Sequence, residues 1–299
     1  MAPQPAVRLG TQRTPVNAPA SLTLAYSPSV TDTYLYAAWS NGLLADAPAV
    51  STTIDYLEAL NTAAFAARYA VSRASYPVAP LVAEAYRVMR SGSTLVSGRG
   101  PLLVGRSDKA GGLPTIQSLR KDARVAVPGT NTTAYLLLSL ALGWEPAVTV
   151  MRHDRVIGAV ARGEADMGIV IDEARIGFAA AGLVCVSDLT EWWLRETGYP
   201  CPLVCTLVRR DLPLETARAV GDAIRASLAF AQAHELRIAP FVRGYSPETD
   251  PGALYVHLRD CVNAYTRDIG DDGEAAAAEL FSRASRAGLI PDGPRLEFL

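Results

Sequence analysis

Two short segments of the 299-residue chain hold side chains able to do chemistry. In the first, residues 123–135, Ala-Arg-Val-Ala-Val-Pro-Gly-Thr-Asn-Thr-Thr-Ala-Tyr, an apolar strand stops at a Pro-Gly turn and a hydroxyl-rich stretch opens a long apolar helix. Amides at a helix start have no intrahelical acceptor and the helix dipole favours negative charge there, so Thr132 and Thr133 mark a receptor for a small carboxylate or phosphate. The plain alternative is that Thr130 or Asn131 merely caps the helix. The second segment, 163–175, Gly-Glu-Ala-Asp-Met-Gly-Ile-Val-Ile-Asp-Glu-Ala-Arg, reads as a turn, a buried strand and a polar exit. Ligands of open α/β sheets lie beyond the carboxyl ends of the strands, so Asp172 and Arg175 are expected to face the same space as the two threonines.

The elements that must position these groups follow from the periodicity. Strands are expected at 22–26, 51–55, 70–75, 101–105, 148–152, 167–171, 183–187 and 203–209, and helices at 34–44, 57–69, 78–91, 155–162, 214–234, 251–265 and 273–287. A Gly- and Ser-rich stretch at 92–112 marks a crossing between lobes, and 203–209 crosses back. The architecture expected is α/β: a two-lobed, periplasmic-binding-protein-like (type II) fold with a ligand cleft between the lobes. Residues 21–103 with 207–299 would form the first lobe, 104–206 the second, and 1–20 a disordered tail.

Composition narrows the function. A net charge of −2 without a basic stripe disfavours nucleic acid. No apolar run reaches the length of a membrane span, and 1–20 lacks the apolar centre of a signal peptide, so a cytoplasmic location is expected. Cys185, Cys201, Cys205 and Cys261, with His153, His234 and His257, lack zinc-site spacings and read as buried thiols. The segment 268–273, with Glu279 behind it, has Gly where a calcium loop wants a third oxygen ligand, and reads instead as the acidic first turn of a helix. No metal site is expected. His257 reads as a packed helix histidine, with a lesser chance of reaching the hinge. No dinucleotide, phosphate-loop or nucleophile-elbow motif is present.

The ordered run Ser27-Pro28, Asp32-Thr33, Ser72-Arg73-Ala74-Ser75-Tyr76, Gly98-Arg99-Gly100-Pro101-Leu102, Val127-Pro128-Gly129, Thr132-Thr133-Ala134-Tyr135, Glu173-Ala174-Arg175, Trp192-Trp193 and Val262-Asn263-Ala264-Tyr265 resembles the 1,4-dihydroxy-6-naphthoate synthases of the futalosine route to menaquinone. The resemblance spans about 22–299. It implies a lyase that converts cyclic dehypoxanthine futalosine to 1,4-dihydroxy-6-naphthoate without metal or organic cofactor, its partner being a small-molecule carboxylate substrate. It further implies that Thr132 and Thr133 hold substrate oxygens, that Ser72, Arg73, Ala74 and Ser75 contact the ligand from the other lobe, and that Ser27, Asp32 and Thr33 form the floor near the hinge. The chain departs from the family at Ser29, Val30 and Thr31, at Arg73 where Lys is usual, at Val204-Cys205, and at Asp172, which stands where the family has its general-base histidine. An ordinary Asp is a weaker base than His; burial would raise its pKa, and Arg175 nearby would act the other way. Asp172 is thus the candidate catalytic residue, the alternative being a turn cap or a pair with Arg175. Two other functions remain open: a divergent lyase or cyclase of this fold acting on another small aromatic or sugar-linked acid, and a non-catalytic small-carboxylate binding protein.

Overall fold

The computed structural model describes residues 21–107, 114–246, 250–292 and 296–299. The expected disordered tail and part of the crossing stretch at 92–112 lie outside the described residues. The chain enters as β1 (Leu22–Tyr26), α1 (Val30–Ser40), β2 (Val50–Ile54), α2 (Leu57–Phe65) and β3 (Val71–Ser75). A helix expected at 78–91 does not form. Pro77 and Pro80 remove two amide donors, and the segment makes a tight 3-10 turn, Tyr76–Val82, before β4 (Tyr86–Val88) and β5 (Thr94–Val96).

The second sheet begins with β6 (Leu102–Gly105) and continues through β7 (Val125–Val127), α3 (Thr133–Leu142), β8 (Val148–Val150), α4 (His153–Ala161), β9 (Met167–Val170), α5 (Ala174–Gly177), β10 (Val184–Asp188) and α6 (Leu189–Thr197). The chain then returns as β11 (Cys201–Arg209), followed by α7 (Leu214–Ala233), α8 (Glu235–Arg243), α9 (Pro251–Cys261), α10 (Ala264–Arg267) and α11 (Gly270–Arg286). The expected run 251–265 breaks at Val262, where Asn263 caps a new turn and accepts from the Tyr265 amide.

Sheet one has the order β2-β1-β3-β11-β4, with β5 also on β11; sheet two has β10-β6-β9-β7-β8. Within each sheet the βαβ units run parallel, whereas the strand reached by a crossing runs antiparallel to its neighbours: β11 to β3, and β6 to β9. Strand β6 pairs only within sheet two and β11 only within sheet one. The crossings therefore fall in the connections 97–101 and 198–200, not inside strands at 103/104 and 206/207.

One apolar core joins both sheets: Ala74, Leu95 and Leu207 of sheet one pack in the same cluster as Leu103, Val125 and Ile169 of sheet two, with Leu137 of α3, Trp193 of α6 and Leu280 of α11. A second core lies under sheet one, where Leu35 and Trp39 of α1 meet Val220, Ile224 and Leu228 of α7. Contact between α4 and β9 depends on Gly168: a Cβ there would lie 2.5 Å from Val156 Cγ1 and 2.8 Å from Val160 Cγ2. Because β9 delivers the Asp172 turn, this contact sets the height of the site. Gly168→Ala should destabilise the protein by about 1–3 kcal/mol through overpacking, read as a lowered urea midpoint at unchanged m-value.

Candidate active site

A partly open cavity lies between the sheets. Sheet one contributes Ser27, Ser29, Thr31, Asp32, Arg73, Ser75 and Thr94 to its wall, and sheet two contributes Thr132, Thr133, Ala134, Ile171, Asp172 and Arg175. Leu203 and Val204 of β11 and His257 and Cys261 of α9 complete it. An adjoining chamber shares Ser27, Thr132 and Asp172 and runs to Tyr56, Glu58, Arg152 and His153.

The floor is built on a buried ion pair. Arg73 is 1% and Asp32 3% exposed, and Arg73 Nε donates to Asp32 Oδ1 at 2.8 Å. The rest of the guanidinium donates to the Gly92 carbonyl, to Thr206 Oγ1 at 3.3 Å and to Thr94 Oγ1 at 2.9 Å. Asp32 Oδ2 in turn accepts from the Ser27 amide at 3.0 Å and the Ser27 hydroxyl at 2.7 Å. Burial opposes the arginine charge, but Asp32, with smaller contributions from Tyr36 and Cys205, outweighs it and keeps the guanidinium protonated. Each arm of the planar fork has an acceptor, which a lysine ammonium could not match.

The starts of α1 and α3 both lie at the cleft, and they differ. At α1, Ser29 is the cap, and the Val30 amide donates to Glu173 Oε1 across the cleft at 2.8 Å. That helix start already has its anion. At α3 the cap is Thr132, not Thr130 or Asn131: its Oγ1 accepts from the Tyr135 amide at 3.2 Å and donates to the Gly129 carbonyl at 2.8 Å. Thr133 donates its hydroxyl proton to the Leu203 carbonyl at 2.6 Å. Both threonine hydroxyl protons are thus committed within the protein, and the donors left for a ligand are the first-turn amides of Thr133 and Ala134, which lack intrahelical acceptors. Asn131 is taken up by Glu58, whose Oε1 accepts from its amide at 3.2 Å and its side chain at 2.7 Å. With Ser246, which donates to Glu173 at 2.8 Å, these bonds tie the two sheets' loops together around the cavity.

Asp172 follows β9 with φ of +50°, in the left-handed region. Asp, Asn and His are the non-glycine residues that enter this region most readily, so the turn accepts an aspartate. Burial lifts the Asp172 carboxyl well above the usual carboxylate range; Glu173 and Asp32 add to this, and Arg73 opposes it. Arg175 does not pair with Asp172. It contacts Asp188 at 3.5 Å, and the opposing cation is Arg73. Asp172, Glu173 and His257 each bring one polar atom within 4.8 Å of the others, and this trio has the composition of a cation site. Burial lowers the His257 pKa below the ordinary imidazole value.

Of the residues named from sequence, Ser27, Asp32, Arg73, Ser75, Thr132, Thr133, Asp172 and Arg175 meet in this wall, whereas Thr33, Ser72 and Ala74 do not. Side chains alternate along β3, so Arg73 and Ser75 face the cavity and Ser72 and Ala74 the opposite side. Thr33 turns its hydroxyl back to the Ser29 carbonyl at 2.8 Å. Cys201, Cys205 and Cys261 are buried, but Cys185 is exposed. Asp271 and Asp272 lie in the first turn of α11, as the dipole argument expects. Cys261, Thr94 and Leu57 enter the wall from segments with no motif, and His257, read from sequence chiefly as a packed helix histidine, lines it too.

Fold and cleft together define a binding-protein-like, two-lobed α/β protein with a cleft between its lobes. The alkanesulfonate-binding protein SsuA from Xanthomonas axonopodis pv. citri has this fold, superposing with a TM-score of 0.70 at 14% identity over 94% of this chain and 97% of that one. The family model described as menaquinone biosynthesis matches residues 22–286, and the chain belongs to that family. Two relatives are 1,4-dihydroxy-6-naphthoate synthases. The one from Thermus thermophilus is 38% identical over 93% of this chain and 99% of its own length, and the one from Streptomyces coelicolor is 34% identical over 91% and 95%.

The raised Asp172 pKa has a stability consequence. The folded state holds this proton more tightly than the unfolded chain, so stability falls as pH rises from the unfolded carboxyl value, about 4, through the raised folded one. Asp172→Asn keeps the shape and tolerates the left-handed backbone but cannot ionise. It should raise the urea midpoint at pH 8, with the gain vanishing below about pH 4; an unchanged midpoint at pH 8 contradicts the assignment.

Proposed function

We propose that this protein is a cytoplasmic carbon–carbon lyase that converts cyclic dehypoxanthine futalosine to 1,4-dihydroxy-6-naphthoate in menaquinone biosynthesis, with Asp172 taking the proton that starts the cleavage. The observation that carries the reading is the pairing, in one cavity wall, of an open helix start and a carboxyl of raised basicity. The α3 amides suit the substrate carboxylate, with the dipole adding to their attraction. Across the cavity the Asp172 carboxylate accepts a proton from carbon; the C–H electron pair stays on the substrate and drives departure of the sugar-derived carbons as the ring becomes aromatic. Enclosure keeps water from the intermediates. Because burial raises its pKa, Asp172 recovers part of the basicity lost by not being histidine. Neither metal nor organic cofactor is needed for these steps, and the partner is the small carboxylate substrate alone.

A second reading is favoured by one observation: of the departures, Ser29, Thr31, Arg73, Val204 and Asp172 line the cavity, whereas Val30 and Cys205 do not. On that reading the same lobes act on a different small aromatic or sugar-linked acid. Purified protein incubated with cyclic dehypoxanthine futalosine should yield 1,4-dihydroxy-6-naphthoate by mass spectrometry, and Asp172→Asn should lower kcat by about 100-fold or more. Absence of product with the unaltered protein removes the first reading in favour of the second.

A further inference from the structure

We infer that His257 is the proton-sharing partner of Asp172, so that the proton leaving the substrate is held by a carboxyl–imidazole pair and not by the carboxyl alone. This rests on the reading of Asp172 as the base.

The geometry comes first. His257 sits on α9, far along the chain from β9, yet it is 6% exposed, lines the same cavity, and has a ring nitrogen within 4.8 Å of the Asp172 and Glu173 carboxyls. No direct hydrogen bond joins the ring to either carboxyl, and the gap is one that a single bridging water spans. Among the described residues its ring nitrogens meet only Cys261 Sγ, at 3.8 and 3.9 Å, so a buried imidazole is left without an oxygen or nitrogen partner. Buried polar groups are seldom left so unless a ligand or a transferable proton completes them.

The charges around the ring fit such a role. Asp172, Glu173 and Arg175 face it from the β9–α5 turn, Asp260 and Cys261 lie on its own helix, and Arg99 pairs with Asp260 at 3.1 Å. Burial and Arg175 favour the neutral ring, whereas Glu173 and Asp260 favour the imidazolium. With Asp172 raised and His257 lowered, the two groups approach one another in proton affinity, the condition for sharing a proton. Glu173 Oε1 already accepts from Val30 and Ser246, so it acts on the pair mainly by charge.

The step balances without a further reactant. The substrate C–H bond breaks with its electrons left on carbon, an O–H bond forms at Asp172, and the proton passes to a ring nitrogen of His257, restoring the carboxylate. The imidazolium then returns it to the departing sugar fragment. Because the imidazolium delivers the proton to the departing fragment, His257 is a second catalytic residue beside Asp172.

The test uses the full-length enzyme turning over cyclic dehypoxanthine futalosine. In His257→Gln and His257→Asn, kcat should fall about 10–100-fold with KM changed less than about threefold. The acid limb of kcat/KM should move to lower pH, because one of the two proton sites has gone. The double variant Asp172→Asn with His257→Gln should lose no more than the worse single variant, and Asp172→Asn alone should keep an acid limb owed to the imidazole. The inference is overturned if the His257 variants keep wild-type kcat, if the two losses multiply, if only KM changes, or if the Asp172→Asn profile is flat. It is overturned equally if a chelator abolishes wild-type turnover and zinc restores it, since the trio would then be a metal site. Should the unaltered enzyme itself give no product, the functional reading fails, and that result is separate from any outcome in the His257 variants.

Discussion

The site depends on the buried contact between Arg73 and Asp32. A charge this deep survives only when every arm is matched, and here the Gly92 turn, Thr94, Thr206 and Asp32 of α1 all supply acceptors to one guanidinium. The pair thereby binds the end of β3 to the first turn of α1 and to β11, the strand on which the chain returns from sheet two. Breaking such a pair by removing one partner commonly costs about 3–5 kcal/mol, far more than an exposed pair is worth. Its charge also reaches the chemistry: Arg73 is the cation that limits how far the Asp172 carboxyl rises, and Asp32 is one of the anions that lift it. Floor and base are one electrostatic unit.

The same economy of charge decides where an acid can bind. Of the two helix starts at the cleft, that of α1 is filled by Glu173, and the loop before α3 is held by Glu58, which leaves the first-turn amides of α3 facing the cavity. These carboxylates reach from one sheet's loops to the other's, so the bonds that shape the cavity also keep competing anions off the wrong helix.

Much of this was legible in the chain. Strand β1, the β7–α3 turn and the β9 exit were readable because alternation, a Pro-Gly break and a hydroxyl cluster are local signals. The helix expected over 78–91 failed because Pro77 and Pro80 override an otherwise helical pattern. Strand β5 and helices α6 and α8 were not read: β5 is three residues in a Gly- and Ser-rich stretch, and the pattern of α6 is set by packing of Trp193 against the core. On β3, all four residues named as ligand contacts lie in one buried strand, and only its pleat separates Arg73 and Ser75 from Ser72 and Ala74.

By itself the sequence determined the fold class, the two-lobed order of elements and the segments that border the cleft, since these follow from short-range periodicity and from turn chemistry within a dozen residues. Tertiary structure alone decided which charges meet. It paired Arg175 with Asp188 in place of Asp172, turned the threonine hydroxyls inward, put Glu173 on α1, and carried His257 from the C-terminal helices to within 4.8 Å of Asp172. The reason is physical: proton affinity and ion pairing depend on burial and on distances of a few ångströms across the fold, and neither is encoded in the spacing of residues along the chain.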